Sequence, residues 1–308
     1  MEKVVIGIAT YCRPKMLARG LASLAELELP NDVEVTLIVS DNDKDRSASD
    51  VFELQTKNLK FHAIYLVEEK QGIVPNRNRV LQQSMEIGAK YLAFFDDDET
   101  VHSKWLISLL DTVSQYKVQA VWGKTIYSIP PNAAPWLHKQ NFFGGEQPPT
   151  GTKRRGASTN NVLIDLTFLK KHGLQFDDRF NDIGGSDSFL FRKVRDHGGT
   201  VVSCQEAITF EEVPETRATE AWILRRAYKN AHTEYRRASV RKGRLFAGLL
   251  VVGYSSWLLI CYTATVFLYR KNKYELTVFN RRRKAKIKGF WDALRGGTHQ
   301  EYNVVHGG

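Results

Sequence analysis

Tyr91-Leu-Ala-Phe-Phe-Asp-Asp-Asp-Glu99 is the stretch on which the reading of this chain turns. Five apolar residues, Tyr91 to Phe95, run straight into three aspartates and a glutamate. The apolar run is the pattern of a strand buried inside a sheet. A strand end that gathers this much negative charge is electrostatically unfavourable unless a cation is nearby. Hard divalent cations take carboxylate oxygens and bridge them to phosphates. Side chains alternate along an extended segment, so Asp96 and Asp98 can share one site while Asp97 turns elsewhere. The bland alternative is a solvated acidic turn. A second acidic strand end counts against it: Glu34 to Ser40, EVTLIVS, runs into Asp41-Asn42-Asp43.

Working outward, Val4–Ala9 and Phe61–Val67 read as further strands, the first ending in the loop Thr10-Tyr11-Cys12-Arg13-Pro14. Apolar residues fall at helical spacing over Met16–Leu27, Arg77–Ile87 and Trp105–Ser114. Strands alternating with helices predict an α/β fold, with a mostly parallel sheet covered by helices on both faces. Such sheets bind ligands at the carboxyl ends of their strands, which places Asp41 and Asp96–Asp98 at one site.

Further along, 128–157 is rich in proline and glycine and carries Lys153-Arg154-Arg155, the pattern of a long functional loop. Short strands are predicted at Asn161–Leu163 and Thr200–Ser203, and helices at Leu166–His172 and Asp187–Asp196. From Ala218 the pattern is helical and basic. Gly184-Gly185-Ser186-Asp187 opens a helix. Asp187 is there either a capping or first-turn residue favoured by the helix dipole, or a general base aimed at an acceptor hydroxyl. Arg217, Arg225 and Arg226 form either a solvated or lipid-facing basic face or an arginine fork for a diphosphate. Arg225 and Arg226 are adjacent on a helix, so at most one points inward.

The charge is unevenly placed. The chain carries +10 overall, yet residues 1–216 hold 25 Lys/Arg against 29 Asp/Glu, and residues 217–308 hold 19 against 5. The first part reads as an ordinary enzyme, the tail as a segment that meets a negative surface. Leu245 to Tyr269 is 25 residues without a formal charge, flanked by Arg241, Lys242 and Arg244 and by Arg270, Lys271 and Lys273. That is long enough to cross a hydrocarbon core. A full span, a dip into one leaflet and a buried helix are the alternatives. Three widely separated cysteines without a C-x-x-C pair argue against a disulfide framework and for a reducing compartment. The opening MEKVVIGIATY does not read as a secretory signal.

Six blocks in order carry a family resemblance: IGIATYCRP, LIVSDND, GIVPNRNRVL, FFDDDETVHSKWL, TNNVLI with FDDRFNDIGGSDSFLFRK, and EEVPETRATEAWILRRAYKNA. Over roughly residues 3–236 the chain resembles a family 2 glycosyltransferase of the GT-A fold, in its ExoM-like succinoglycan glucosyltransferase branch. The resemblance implies a catalytic domain at 1–236, with a nucleotide-sugar half at 1–115 and an acceptor half at 116–236, and a membrane-associating helical tail at 237–308. It implies nucleotide-sugar contacts from Thr10, Tyr11, Arg13, Asp41, Arg77, Asp96, Asp97, Arg225 and Arg226. It makes Asp98 a ligand of Mn²⁺ or Mg²⁺, with Glu212 or its neighbour Glu211 standing in for a late metal-binding histidine, and Asp187 the catalytic base. Asn76 stands where alanine is usual, Val101 where proline is, Ser186 where glutamate precedes the base, and Ala231 where glycine is common.

The implied activity is an inverting transfer from a nucleoside-diphosphate sugar, with UDP expected, to a hydroxyl of a saccharide acceptor in cell-surface polysaccharide synthesis. The basic, apolar tail predicts lipid contact through residues 241–288 and no nucleic acid; taken with the habit of the resembled family, it implies a polyprenyl-diphosphate-linked acceptor and work at the cytoplasmic face of the cell membrane. A metal-dependent nucleotidyltransferase would carry a glycine-rich phosphate loop with a lysine near its start, which IGIATYCRP lacks. A non-catalytic membrane-bound binding module would leave Asp41, Asp96–Asp98 and Asp187 without a role.

Overall fold

The computed structural model describes residues 1–138, 142–144, 146–182, 184–268 and 273–296, with the side chains of 265–277 outside that set. The chain begins with β1 (Glu2–Thr10), α1 (Pro14–Leu24), β2 (Val33–Asp41), α2 (Ser49–Thr56), β3 (His62–Val67), α3 (Ile73–Glu86) and β4 (Tyr91–Phe95). Then come β5 (Glu99–Val101), α4 (Trp105–Tyr116), β6 (Ala120–Ser128), α5 (Pro135–His138), β7 (Asn161–Asp165), α6 (Leu166–His172), α7 (Ser186–Asp196) and β8 (Val201–Glu212). Three long helices follow: α8 (Glu220–Lys242), α9 (Arg244–Leu268) and α10 (Lys273–Leu294).

The strands form one eight-stranded sheet in the order β3-β2-β1-β4-β7-β6-β8-β5. The first four are parallel to one another, β7 is antiparallel to both β4 and β6, and β6 is parallel to β8. Both faces are covered. In β1, Val4, Ile6 and Ile8 join α1 and α4 through Leu17, Leu21, Trp105 and Leu109. Val5 faces the other way, into a core with Val80 and Leu81 of α3, Leu169 of α6 and Phe191 of α7. This two-residue period, with both faces apolar, is why VVIGIA and EVTLIVS read as continuous hydrophobic runs. Burying each such side chain favours the fold by about 1.5–3 kcal/mol.

Several boundaries differ from the sequence reading. Helix α1 starts at Pro14, in the first turn where proline's missing N–H costs nothing, and stops at Leu24. β6, AVWGKTIYS, carries no clean alternation and lies against the Pro/Gly-rich loop, so nothing in its pattern announced it. β8 continues nine residues past Ser203, because Ala207 and Thr209 are buried along it. α2 buries no residue fully, and its sequence lacks a periodic apolar face.

The boundary expected at 236/237 falls inside α8, which runs unbroken to Lys242. The tail returns to the catalytic domain. Val278 and Phe279 of α10 pack with Trp136, Phe142 and Ile223, and Phe290 packs with Ala231 and Tyr235 of α8. Gly289 permits this approach, since a Cβ there would lie 2.2 Å from the Tyr228 carbonyl oxygen. α9 runs antiparallel to α10: Ala247 and Val251 meet Phe290 and Ala293 at one end, and Arg283 donates to the Cys261 carbonyl further along. Its other face is bare, with Leu245 90% exposed, Leu249 73%, Trp257 60% and Ile260 61%. Arg244–Ala264 has the length and hydropathy, 1.8 on average, of a membrane span, and little of it is buried. The buried-helix alternative therefore does not describe this segment.

Candidate active site

A cleft of about 720 Å³ opens at the carboxyl ends of β1 and β4. The β1 loop supplies Thr10, Tyr11 and Arg13, the β4 end supplies Asp96–Asp98, α3 supplies Arg77, and the far wall holds Glu211, Arg217, Trp222 and Arg226. The α3 entry needs glycine. Gly72 has φ +129°, and a Cβ there would lie 2.0 Å from the Asn181 side chain, which accepts from the Val74 amide.

The three aspartates lie past the end of β4, Asp97 and Asp98 in a turn closed by the Glu99 amide on the Asp96 carbonyl, so strand alternation does not set their directions and all three line the cleft. Asp97 turns back under β1, accepting from Thr10 Oγ1 at 2.8 Å and from Arg13 Nη1 at 3.1 Å. Asp96 faces Arg77 at 3.6 Å. Asp98 lies between Arg13 at 3.7 Å and Arg217 at 3.6 Å, and Arg217 also binds Glu211 at 3.1 Å. Burial raises Asp96 to about 6 even though part of its side chain faces the open cleft; Arg77 opposes the shift and Asp98 adds to it. Asp97 is likewise pushed up to about 6 by burial against the opposing pull of Arg13. Burial and then the Asp98 charge raise Glu211 to about 7. Glu99, beneath them, is held well above its usual range by burial and by Asp96. Arg13 is raised: its burial works against the charge, but Asp97 and Asp98 outweigh it.

Carboxylates forced toward their neutral forms around one point are what a cation would relieve, so the donor set fits a hard divalent ion. Among the described residues no three acidic, histidine or cysteine side chains form a ready-made metal cage.

Not every predicted residue reaches the cleft. Asp41 is fully buried and its carboxylate is already engaged, accepting from the amides of Asp43 and Ala48 and from Tyr65 Oη at 2.6 Å. It holds the 42–48 loop, and its neighbour Asn42 lines the cleft instead. Glu212 points out of the cleft and pairs with Arg19, with 72% of its side chain exposed. The strand's alternation sends Glu211 inward in its place. Arg225 is exposed, while Arg226 lies in the cleft 4.9 Å over the Trp222 ring. Burial lowers Arg226 from its ordinary value, leaving it poorly solvated and receptive to an anion.

Asp187 stands in the first turn of α7 and does not cap it. The cap position is Gly185, at φ +87°. Asp187 lines a second pocket of about 670 Å³ that shares Ser158 with the cleft. It is close enough to Asp96 for its charge to help raise that carboxyl. The sequence reading missed Asn160, Tyr127 and Lys229 on the cleft wall. Tyr127 belongs to the unannounced β6, and Lys229 sits one turn beyond Arg225 and Arg226, where helical spacing could have found it.

Comparison with known proteins gives this geometry its setting. The Glycosyl transferase family 2 model matches residues 5–171. Succinoglycan biosynthesis protein ExoM of Rhizobium meliloti is 32% identical over 231 residues, 75% of this chain and 74% of that protein. Glycosyltransferase AglE of Haloferax volcanii is 23% identical over 218 residues, 68% of this chain and 69% of its own. Among solved structures, mannosyltransferase PcManGT of Pyrobaculum calidifontis, in complex with GDP-Man and Mn²⁺, superposes with a TM-score of 0.62 at 16% identity, covering 94% of this chain and 87% of that one. S. aureus TarS 1-349 in complex with UDP-GlcNAc gives 0.52 at 14% identity, covering 100% and 95%. At such identities these structures speak for the fold, which is GT-A. By its sequence match and its fold, the chain belongs to glycosyl transferase family 2.

Proposed function

We propose that this glycosyltransferase moves a sugar, with inversion, from a nucleoside-diphosphate donor to a hydroxyl of a saccharide acceptor held at a membrane, in the making of a cell-surface polysaccharide. The observation that carries the reading is the cleft itself. Asp96 and Asp98 converge there with Arg217 and Arg226 at the ends of parallel strands, and Asp187 stands at the adjoining rim.

Asp98, with Glu211 beside it, would hold Mn²⁺ or Mg²⁺, which when bound supplies positive charge to the donor diphosphate. Thr10, Tyr11 and Arg13 line the wall on which the nucleoside would lie, and Arg77 keeps Asp96 oriented. Asp187 takes the proton of the acceptor hydroxyl as its oxygen bonds to the anomeric carbon. The bond from that carbon to the diphosphate oxygen breaks on the opposite face, and the anion that leaves meets Arg217 and Arg226. UDP is the expected nucleotide. TarS was solved with UDP-GlcNAc and PcManGT with GDP-Man, so both bases belong in any donor panel.

The bare face of α9, bordered by Arg241, Lys242 and Arg244, supports attachment in the plane of an anionic leaflet, with α10 keeping the helix against the domain. That attachment supports a lipid-linked acceptor, which the reading sets at the cytoplasmic face. The ExoM relative, named for succinoglycan biosynthesis, is the guide to the polysaccharide setting.

Asp98→Ala tests the donor site. Release of nucleoside diphosphate should be abolished and donor affinity should fall at least about tenfold, an expected loss of about 1.4 kcal/mol. Chelation of the wild type should do the same. Full activity in excess chelator would replace this reading with metal-independent transfer on the same fold.

A further inference from the structure

Beside the donor cleft lies the second pocket, lined by Lys153, Arg154, Arg155, Trp122, Ser158 and Asp187. Its charge is lopsided, with three cations against one carboxylate. Among the described residues none of the three cations makes an ion pair. The Nε of Arg154 is buried without a hydrogen-bond partner among those residues. A guanidinium N–H out of water without a partner is unfavourable, and an anion seated in the pocket would satisfy it.

The segment is also fixed in place. The Arg154 amide donates to the Val201 carbonyl at 2.8 Å, Lys153 bridges Val202 of β8, and the Arg154 guanidinium lies 5.1 Å over the Trp122 ring. The chain then runs through Ser158 into the donor cleft, so the basic pocket and the site of sugar departure share a wall.

We propose that this pocket is the acceptor subsite for an anionic group, a phosphate or a carboxylate carried by the acceptor next to the hydroxyl that is glycosylated. Arg154 and Arg155 bind the anion, and Trp122 holds the Arg154 guanidinium in place beneath it. The neighbouring hydroxyl is thereby presented to Asp187, on whose role as base this inference rests. A planar guanidinium with free N–H groups suits either anion. A lipid diphosphate and an acidic sugar share this chemistry.

The test is calorimetric and needs no turnover. Protein saturated with UDP and Mn²⁺, so that the donor cleft is filled, is titrated with geranyl diphosphate, with glucuronate, and with the neutral controls geraniol and methyl glucoside. At least one anion should bind at least tenfold more tightly than its control. The R154Q/R155Q variant should lose at least tenfold in that affinity, R154K should retain most of it, and UDP affinity should be unchanged in both. Preference for geranyl diphosphate would assign the anion to a lipid carrier, preference for glucuronate to an acidic sugar. Anions binding no better than controls, or a double variant that binds as well as wild type, would overturn the proposal. If UDP fails to bind, it is the choice of nucleotide that has failed; the same titrations are then run with GDP and Mn²⁺, or with the cleft empty if neither binds, and anions binding no better than their controls overturn the proposal there as well.

Discussion

Asp187 separates a structural from a chemical role at the level of one side chain. Gly185 occupies the cap position, so Asp187 has no capping hydrogen bond to lose beyond its short contact with the Ser188 amide at 2.6 Å. Asp187→Asn preserves size and that acceptor while removing the proton acceptor. Donor affinity should stay near wild type and turnover should fall at least ~10²-fold, about 2.7 kcal/mol in barrier. Calorimetry paired with a transfer assay checks it, and turnover within a few-fold of wild type would send the base assignment to Asp182. Asp96, near 6, and Glu211, near 7, make a pH prediction. Both are raised above ordinary carboxyl values of about 4, so the folded chain favours their protonated forms. That contribution to stability is complete below about pH 4 and is lost as pH rises through about 7. Metal-free protein should show this loss as a falling Tm that Glu211→Gln flattens, and Mn²⁺ should raise Tm at pH 8 more than at pH 5. An identical pH profile in Glu211→Gln would count against the assigned environment.

At the level of elements, Asn161 is the knot of the second half of the sheet. It accepts from Trp105 Nε1 at 2.8 Å and donates to the carbonyls of Lys124 and Ala207, joining β7 to α4, β6 and the β8 backbone. Asn161→Ala leaves the buried indole N–H and two carbonyls without it, and chemical denaturation should show a loss of about 2–4 kcal/mol. A loss under 1 kcal/mol would mean that the network relaxes or hydrates. The elements legible in the sequence were the uninterrupted apolar runs of β1, β2 and β4 and the helically spaced apolar face of α4. β6 and the second part of β8 were not. Their pairing partners lie far away in sequence, and what holds them is Asn161, bonded to the Lys124 and Ala207 carbonyls, and α4, against which Ala207 packs, rather than a local pattern. α9 was legible as an apolar run, but its place alongside α10 was set by tertiary contacts. Substituting Leu249, Trp257 and Ile260 by glutamate should abolish co-sedimentation with anionic vesicles and leave donor affinity intact, because none of the three lines the cleft. Undiminished vesicle binding by that variant would remove α9 from the membrane account.

The molecule as a whole joins a donor cleft, a basic pocket behind Asp187 and an apolar helix on one chain. From the sequence, the carboxyl-end position of Asp96–Asp98 and the inward turn of one arginine of the Arg225-Arg226 pair could be read, since strand and helix periods dictate both. That Asp41 props a loop, that Glu211 rather than Glu212 faces Asp98, and that Arg217 bridges the two could not. Each depends on which way a side chain settles among residues far off in sequence. The central claim is the reaction class, and product identity tests it most directly. The full-length protein is incubated with a panel of UDP- and GDP-sugars and, separately, with nucleoside triphosphates plus sugar phosphates, each with Mn²⁺ and with chelator. The account predicts release of a nucleoside diphosphate from one nucleotide sugar, dependent on the metal. Pyrophosphate released from a triphosphate would instead make the protein a nucleotidyltransferase, and a panel that neither binds nor reacts would contradict the reading of the cleft altogether.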